Sequence, residues 1–394
     1  MKIENKKLEF LTKNQNLSSA AQHPYCNEVC KFLGDLSKKL DVKKMNQEFP
    51  DIKALSFWCR KANIENLKKK YISNETRLGL GIIFHITPSN IPTNFMYSLI
   101  FGLLTGNSNI VKVPSKKFKQ IDFICSKINE LLKKKYKSLS KRISIIRYKD
   151  NDELTESISL QCNARLIWGG DKTINAIRKI DLNPRALELT FSDRYSISVI
   201  DTKSLNKKNK CARLVERFYN DTFVVDQNAC SSPQLILWHG KENKKIQEKF
   251  WNLLADLVSK KYLPPETSII EKYNQLCENI ISLKNINSYK IYNKLVYVVS
   301  LNNLDKDIYK LRGKWGYFYE FNIDNLEELK KTVNTKFQTL SYYGLSKSYL
   351  ENFFRNTNLE GIDRVVPIGQ ALDINLFWDG YDINKILTRI IDIR

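Results

Sequence analysis

The sequence predicts an α/β protein built on a doubly wound parallel sheet. Between about residues 78 and 200, short apolar runs alternate with helical patterns. This alternation of strand and helix is typical of a parallel sheet that carries helices on both faces. Polar loops rich in proline, asparagine or glycine directly follow three of the predicted strands. In such sheets, ligands bind at the carboxyl ends of the strands, so these loops are the first place to look for a site.

The predicted elements follow one another in a regular order. The strands are 80–86, 109–113, 143–147 and 165–168, and the helices are 93–104, 117–135 and 152–162. The first strand is followed by the loop 87–92, the second by 112–116 and the fourth by 169–173. The last of these loops opens a helix, whose free N–H groups can take a phosphate. The glycine pattern G-x-G-x-x-G is absent from the sequence.

The composition is that of an ordinary globular protein with a strong positive charge. The 394 residues carry a formal charge of +22. Lysine runs at 133–137 and 207–210 are dispersed, so we interpret them as solvated faces and predict no nucleic-acid partner. A nucleic-acid-binding protein, which only the charge suggests, is the alternative. The positive field favours an anionic substrate. The longest apolar stretch, 95–104, is too short for a membrane span, and the start has no apolar signal segment. We therefore expect a soluble, cytoplasmic protein.

The eight cysteines have no paired spacing, which predicts reduced thiols rather than a disulfide framework. His23, Cys26 and Cys30 are the nearest approach to a metal-binding cluster. No fourth ligand or second Cys/His pair follows them. We therefore interpret them as one face of a helix and predict no metal site.

Cys230 is the candidate nucleophile. It lies in the polar loop 224–234, which runs into the apolar strand 235–238. The neighbouring residues are small or polar: Asn228, Ala229, Ser231 and Ser232. Such neighbours leave the sulfur reachable and supply backbone N–H groups for a developing oxyanion. The alternative is a buried cysteine that acts as a small hydrophobic residue.

Six segments, taken in order, resemble the successive motifs of the aldehyde dehydrogenase superfamily. They are 86–92 (ITPSNIP), 112–115 (KVPS), 168–170 (WGG), 187–189 (LEL), 227–230 (QNAC) and 343–345 (YGL). The closing segments 361–369 (GIDRVVPIG) and 378–381 (WDGY) resemble the fatty acyl-CoA reductase branch, the LuxC type of bacterial light-emitting operons. The resemblance runs from about residue 78 to the end. The first 75 residues carry no motif that we can assign.

The resemblance implies a role for each matching residue. Cys230 matches the catalytic thiol, and the Asn90 amide matches the group that forms an oxyanion hole with the Cys230 N–H. Lys112 and Ser115 match the pair that meets the adenosine ribose. Four further residues match the cofactor-binding loops: Thr87, Pro88, Gly169 and Gly170. In the family, the two glycines lie against the pyrophosphate of the cofactor. The alternatives are a turn-capping Asn90 and a solvated Lys112.

Two positions depart from the family pattern. Glu188 matches the glutamate that activates water in aldehyde oxidation, but Thr190 and Phe191 replace the usual glycines after it. A reductase that forms an aldehyde does not need that water. The glutamate that holds the nicotinamide ribose is replaced by Gly313. Its neighbours Arg312 and Lys314 favour an extra phosphate and hence NADPH over NADH.

The resemblance implies an aldehyde-dehydrogenase-like fold of two domains. Residues 1–190, with the tail 370–394 returning to them, form a doubly wound dinucleotide-binding domain, and residues 191–369 form an α/β catalytic domain. The implied reaction is the NADPH-dependent reduction of a long-chain fatty acyl thioester to the aldehyde through a Cys230 acyl-enzyme, with NADH possible. The donor is acyl-CoA or an acyl-protein. A homo-oligomer and an acyl-protein synthetase partner are also implied.

Other functions stay open at this point. One is a non-redox cysteine acyltransferase or thioesterase with His85 or His239 as the base. Thiol hydrolases, however, commonly place the cysteine at a helix N-terminus, whereas Cys230 precedes a strand. Another is NAD(P)-dependent oxidation of an aldehyde to the acid. The apolar helix 93–104 is either sheet-packing core, which we favour, or the lining of an acyl channel.

Overall fold

The chain folds into two compact units. The computed structural model describes residues 1, 8–12, 15–71, 75–149, 151–205 and 210–394. Unit 1 consists of Met1–Asp193 and Ile374–Arg394, and unit 2 is Arg194–Asp373. The sequence placed the divisions at 190/191 and 369/370. Of the lysine runs, the one at 133–137 is described, whereas residues 207–209 lie outside the described residues.

Unit 1 contains a six-stranded sheet in the order β1-β5-β4-β3-β6-β7. The strands of this part of the chain are Glu9–Phe10 (β1), Arg77–Gly79 (β2), Ile82–Ile86 (β3), Ser108–Val113 (β4), Ile143–Arg147 (β5), Ala164–Trp168 (β6) and Leu187–Phe191 (β7). Strands β3 to β7 are parallel and β1 is antiparallel. Across the sheet the parallel strands lie in the order β5-β4-β3-β6-β7. The chain adds β4 and β5 on one side of β3 and then returns to add β6 and β7 on the other side, so the strand order reverses between β3 and β6. The predicted doubly wound sheet is confirmed.

Eight helices are described in the first part of unit 1. They are Asn27–Leu40 (α1), Lys43–Glu48 (α2), Pro50–Trp58 (α3), Lys61–Lys70 (α4), Asn94–Leu104 (α5), Lys119–Lys134 (α6), Asp152–Ser159 (α7) and Asp171–Arg178 (α8). Helices α5, α6 and α7 were predicted, and so was a helix that begins after Gly170, which is α8. Every residue of α5 from Phe95 to Leu104 is buried. These side chains therefore belong to the core, as we favoured over an acyl channel.

A buried chain of hydrogen bonds joins α5 to the strands at the centre of this sheet. The Trp168 indole N–H donates to Ser98 Oγ over 2.9 Å, and Ser98 Oγ lies 2.7 Å from His85 Nδ1. The other ring nitrogen, Nε2, lies 3.0 Å from Asn109 Oδ1. Because that amide oxygen only accepts, Nε2 carries a proton. Burial lowers the pKa of His85 to about 4, which keeps the ring neutral at neutral pH, and the network fixes Trp168 directly before Gly169.

Unit 2 contains a seven-stranded sheet in the order β10-β11-β12-β9-β8-β13-β14. Its strands are Tyr195–Asp201 (β8), Pro233–His239 (β9), Ile286–Tyr292 (β10), Val296–Leu301 (β11), Tyr317–Ile323 (β12), Phe337–Tyr343 (β13) and Arg364–Pro367 (β14). All are parallel to their neighbours except β10. The helices are Lys210–Thr222 (α9), Lys244–Lys261 (α10), Ser268–Ser282 (α11) and Lys347–Thr357 (α12).

The central strand β9 explains why 235–238 reads as a continuous apolar run. Leu235 and Leu237 pack into the core cluster on one face of the sheet, whereas Ile236 and Trp238 pack into the cluster on the other face. A strand that is covered on both faces has no solvent-facing position, so its apolar residues need not alternate with polar ones. The Cys230 loop is thus attached to a central strand of the sheet that is covered on both faces.

The C-terminal tail belongs to unit 1. Its elements are Phe377–Trp378 (β15), Tyr381–Asp382 (β16), Ile383–Ile386 (α13) and Thr388–Ile390 (β17). Strand β17 pairs antiparallel with β2, and Arg77 Nε donates to Thr388 Oγ1 over 2.8 Å. The Tyr25 hydroxyl donates to Asn384 Oδ1 over 3.1 Å. In the described part of the chain, no helix has the length and apolar character needed to cross a membrane.

Candidate active site

The Cys230 loop precedes β9 and is anchored by the side chain of Gln227. This amide is 2% exposed. Its Nε2 donates to the carbonyl oxygens of Pro233 and Tyr317 over 3.2 and 3.1 Å, and its Oε1 accepts the Gly316 N–H over 3.1 Å. Three backbone groups at the starts of β9 and β12 are thereby satisfied by one side chain, which holds the loop against the amino edge of the sheet.

The Cys230 thiol itself is half-buried and hydrogen-bonded. Gln338 Nε2 lies 3.2 Å from the Cys230 sulfur, and Gln338 Oε1 accepts the Thr339 hydroxyl over 3.1 Å. The Cys230 carbonyl accepts the Ser196 hydroxyl over 2.6 Å. The three residues that contact the cysteine or orient its partner lie on β8 and β13, so two strands besides β9 fix the position of the sulfur.

A buried carboxyl group links the end of this loop to the closing motif 361–369. The Ser232 hydroxyl donates to the Asp221 carbonyl over 2.7 Å. The Asp221 carboxyl group accepts the N–H groups of Gly369 and Ala371 over 2.6 and 2.9 Å. Burial raises the pKa of Asp221 to about 7. The motif thus closes over the end of α9, next to the nucleophile loop.

Gly313, which replaces the family's glutamate, has no room for a side chain. A Cβ atom there would lie 2.0 Å from the Tyr317 carbonyl oxygen. The Gly313 N–H donates to Gln234 Oε1 over 2.8 Å. The neighbouring Arg312 donates to the Arg194 carbonyl over 2.9 Å. The departure from the family pattern therefore has a packing reason, because the chain passes too close to β12 for any larger residue.

The segment 343–345 and His239 lie at the opposite edge of the same sheet. Tyr343 ends β13, and His239 ends β9, whose start lies next to the Cys230 loop. Six residues of extended chain from Pro233 span about 20 Å. Within unit 2, these residues are therefore remote from the nucleophile. The His239 Nδ1 atom lies 3.6 Å from Asp201 Oδ1.

In unit 1, the predicted cofactor residues gather at the carboxyl edge of β3 and β4. The Thr87 hydroxyl and N–H both donate to the Lys112 carbonyl, over 2.8 and 3.1 Å, and draw the two loops together. The Lys112 ammonium lies 4.8 Å from the centre of the Tyr148 ring. Pro88 is half-buried and Ser115 is exposed. A ligand at this edge would therefore meet Thr87, Lys112 and Ser115 together.

The glycine pair follows β6, the other neighbour of β3. Gly170 is the N-cap of α8 and has no side chain to occupy the first-turn N–H groups. A Cβ at Gly169 would lie 3.3 Å from Thr173, whereas a Cβ at Gly170 would meet nothing within 4 Å. The backbone at Gly170 is thus open to a ligand. Asp171 and Lys172, both exposed, supply opposite charges in this first turn.

Asn90 lies in the loop between β3 and α5 and is exposed. Its Oδ1 accepts the Ile91 N–H over 3.1 Å. The oxygen end of the amide therefore serves the turn, as the turn-capping interpretation expects. The nitrogen end is the donor that a carbonyl oxygen requires.

Glu188 is paired with two arginines. Its Oε2 accepts the Nε and Nη2 groups of Arg165 over 2.9 and 2.5 Å, and its Oε1 accepts Arg178 Nε over 2.9 Å. Arg165 is 2% exposed, whereas Glu188 is 18% exposed. Glu188 also lies three residues before Phe191, the end of β7, or about 10 Å along the strand. Unlike Lys112 and Gly170, it does not lie at the carboxyl edge of the unit 1 sheet.

The cysteines follow the expectation of reduced thiols. All eight lie in the described residues, and none forms a disulfide. Cys26 Sγ lies 3.5 Å from Gln22 Oε1, and Cys30 Sγ lies 3.6 Å from the Tyr25 carbonyl. Burial raises the pKa of Cys30. Over the ranges that the structure describes, no three His, Cys, Asp or Glu side chains gather as a metal site.

Sequence reasoning missed the residues that hold Cys230 and Glu188. These are Gln338, Ser196, Arg165 and Arg178. One signal was available for Arg165, because it is a polar residue inside an otherwise apolar strand pattern, whereas Gln338 stands among the polar residues Thr339 and Ser341 and carries no such signal. A buried polar side chain needs a hydrogen-bonded partner, but the sequence does not say which one.

The fold matches solved aldehyde dehydrogenase structures. Lactaldehyde dehydrogenase from Escherichia coli is 10% identical, with a TM-score of 0.57 over 86% of this chain and 78% of that one. Aldehyde dehydrogenase 21 from Physcomitrella patens is also 10% identical, with a TM-score of 0.61 over 93% and 86%. An NADP-dependent enzyme of E. coli is 11% identical, with a TM-score of 0.61 over 93% and 82%. At this identity, the likeness establishes the fold.

The sequence itself matches a family model over most of its length. No curated protein matches the chain significantly. The model for acyl-CoA reductase (LuxC), however, matches residues 59–389, a range that includes all of unit 2, most of unit 1 and every predicted site residue. The chain therefore belongs to the acyl-CoA reductase (LuxC) family, oxidoreductases that act on acyl and aldehyde groups.

Proposed function

We propose that this protein reduces a fatty acyl thioester to the aldehyde through an acyl-enzyme on Cys230, with NADPH as the preferred reductant. The observation that carries the proposal is the half-buried Cys230 thiol, whose sulfur accepts a hydrogen bond from a buried amide at 3.2 Å. A thiol that only filled space would need no such polar partner.

The chemistry begins with attack of the Cys230 thiolate on the thioester carbonyl. The assigned oxyanion donors are the Cys230 N–H and the Asn90 amide. The carbonyl then re-forms, the donor thiolate leaves, and the acyl group stays on Cys230 as a new thioester. A bound NADPH would supply the hydride that reduces the carbonyl carbon of this thioester. The alkoxide adduct on Cys230 would then collapse to the aldehyde and the Cys230 thiolate, which takes up one proton to restore the thiol.

The residues at the unit 1 sheet edge fit a dinucleotide. The open backbone at Gly170 and the uncapped start of α8 suit a pyrophosphate. Lys112 and Ser115 are assigned to the adenosine ribose, where an ammonium group favours the additional phosphate of NADPH. The Escherichia coli neighbour described as NADP-dependent is in line with this choice. NADH remains the alternative reductant.

The environment of Glu188 favours the reductase over an acid-forming aldehyde dehydrogenase. A general base must accept a proton from water, but both oxygens of this carboxylate already accept hydrogen bonds from guanidinium groups. We therefore propose that Glu188 holds Arg165 and Arg178 and does not activate water. A long-lived acyl-enzyme is useful to a reductase, because hydrolysis would waste the energised acyl group.

The histidine environments weigh against a cysteine hydrolase or acyltransferase. His85 is fully buried, and both of its ring nitrogens are occupied by Ser98 and Asn109. His239 is the one histidine of the unit 2 sequence, and it ends β9 about 20 Å from the start of that strand. His239 is therefore remote from Cys230 within unit 2, and both ring nitrogens of His85 are already used in hydrogen bonds.

The substrate source and the assembly follow from the family resemblance. We propose a long-chain acyl-CoA or an acyl-protein as the donor, with an acyl-protein synthetase as partner in the second case. We also propose that the protein is cytoplasmic and forms a homo-oligomer, which light scattering after size exclusion would test. A ladder of acyl-CoAs from short to long, assayed with NADPH, would define the chain length.

The central test is to trap the acyl-enzyme. Incubation with an acyl-CoA in the absence of NADPH should add the mass of one acyl group to the peptide that contains Cys230, and NADPH should then discharge it as aldehyde. Cys230→Ala should prevent the adduct and lower turnover by at least about a thousandfold. Cys277→Ser, which changes another half-buried thiol of unit 2, is the control. Release of free acid without cofactor would contradict the proposal.

A further inference from the structure

We propose that Gln338 is a positioning residue for the reaction, whose side-chain amide holds the Cys230 sulfur in its reactive state by an N–H···S hydrogen bond. This inference rests on the proposed function, because it takes Cys230 as the nucleophile. The donor atom is Gln338 Nε2, 3.2 Å from the sulfur. The distance lies within the range for hydrogen bonds to sulfur, which is longer than the range for oxygen.

The other end of the Gln338 amide has its own partner. The Thr339 hydroxyl donates to Gln338 Oε1 over 3.1 Å. With Oε1 accepting from this hydroxyl, the NH₂ group of the amide faces the sulfur. Gln338 is fully buried, so neither end can be satisfied by bulk water. The pair Thr339 and Gln338 therefore forms a directed donor chain that ends at Cys230.

The sulfur is held from its backbone side as well. Ser196 Oγ donates to the Cys230 carbonyl over 2.6 Å and accepts the Thr339 N–H over 3.3 Å. Ser196 lies on β8, which pairs with both β9 and β13. The cysteine and Thr339, the residue that bonds to the other end of the Gln338 amide, are thus connected through a single serine hydroxyl. Three adjacent strands fix the separation of Gln338 and Cys230.

Such a donor matters because unit 2 offers no imidazole near the nucleophile. In a cysteine–histidine pair, the imidazolium stabilises the thiolate. His239 lies at the far edge of the sheet. An amide cannot remove the thiol proton, but its N–H group binds a thiolate more strongly than a neutral thiol, since the acceptor is then charged. Gln338 thereby increases the fraction of reactive thiolate without creating a base that would activate water.

The test measures thiol reactivity and needs neither acyl-CoA nor NADPH. Full-length protein is treated with iodoacetamide between pH 5 and 10, and alkylation of the Cys230 peptide is followed by mass spectrometry. Gln338→Met keeps the length of the side chain but removes the donor. We expect the midpoint of the pH–rate profile to rise by about one pH unit. We also expect kcat to fall about tenfold at neutral pH, with little change in KM.

Three further variants make the result specific. Thr339→Val removes only the hydroxyl that orients the amide, and it should shift the midpoint in the same direction by a smaller amount. Gln338→Glu places a negative charge beside the sulfur and should shift it further than Gln338→Met. Gln247→Met is the matched control, because Gln247 is a buried glutamine of the same unit whose amide donates to Asn322 over 2.6 Å.

The outcomes separate this inference from the proposed function. A wild-type alkylation profile in both Gln338→Met and Gln338→Glu would overturn the role of Gln338, whether or not Cys230 carries the acyl group. An equal shift in Gln247→Met would also overturn it, because the effect would then be one of general packing. Full turnover in Cys230→Ala would instead remove the proposed acyl-enzyme and leave the measured thiol reactivity intact.

Discussion

Arg165, on β6, donates two hydrogen bonds to a single oxygen of Glu188, on β7, over 2.9 and 2.5 Å. The two residues are directly opposite each other in the parallel register of these strands. Arg165 also donates to Ser159 Oγ and to the Ile180 carbonyl over 3.1 and 3.0 Å. The guanidinium of a 2% exposed arginine thus depends on Glu188 for its neutralising charge.

Glu188→Gln is therefore expected to affect stability more than chemistry. Removing one partner of a buried ion pair leaves the other charge uncompensated, so we expect the free energy of unfolding to fall by about 3 kcal/mol. The lifetime of the Cys230 acyl adduct, measured by mass spectrometry without NADPH, should change less than about twofold, which is under 0.5 kcal/mol. A much longer-lived adduct would show that Glu188 activates water after all.

Lys112→Ala should weaken cofactor binding. A charge-assisted hydrogen bond to the adenosine phosphate contributes about 1.5 to 3 kcal/mol, so KM for NADPH should rise at least about tenfold, with a smaller change for NADH. The ratio of the two specificity constants measures the effect. Lys127→Ala, which removes a lysine of helix α6 that is not among the predicted cofactor residues, is the control for loss of a positive charge. A wild-type ratio well below one would count against NADPH as the preferred reductant.

Two glycine variants should respond in opposite ways. Gly313→Ala places a Cβ 2.0 Å from the Tyr317 carbonyl oxygen, and we expect a loss of about 3 kcal/mol in unfolding free energy. Gly170→Ala meets no atom within 4 Å, and Gly170 has a φ of −68°, so its stability should be unchanged or slightly higher. Its KM for NADPH should nevertheless rise, because the new methyl group would occupy the open side of the α8 start.

The free energy of unfolding should decrease as the pH is lowered, because of His85. The folded protein keeps this ring neutral down to about pH 4, since burial lowers its pKa from 6.5. The unfolded chain binds the proton near pH 6.5 and the folded state does not, so unfolding is favoured as the pH falls from about 6.5 to 4. The contribution reaches about 3 kcal/mol.

His85→Gln should flatten this pH dependence of the unfolding free energy, measured with urea at several pH values. The absolute stability of the variant is less informative, because the bonds to Ser98 and Asn109 also change. His23→Gln, which alters an exposed histidine, should keep the wild-type slope. Identical slopes in wild type and His85→Gln would mean that another group accounts for the acid sensitivity.

Strands β3 to β6 and helices α5 to α8 were predictable because their patterns are local. The run 143–147 follows the basic residues Lys141 and Arg142, and the structure has β5 as Ile143–Arg147. In 27–70 only the helix face of His23, Cys26 and Cys30 was predicted, and this was wrong for His23 and Cys26, because α1 begins at Asn27 with Cys26 as its N-cap. Helices α1 to α4 pack on one another and on α6, and no sequence motif predicts this tertiary arrangement.

The sequence by itself determined the doubly wound sheet, the loop character of Cys230 and the family, since periodicity and short motifs are properties of neighbouring residues. Only the tertiary structure decided which side chains meet across strands. Gln338 donates a hydrogen bond to Cys230 from 108 positions away in the sequence. Arg165 can bond to Glu188 because the register of β6 and β7 places the two residues opposite each other. Hydrogen bonds between distant segments depend on how strands are ordered, and that order is set by burial of the whole sheet.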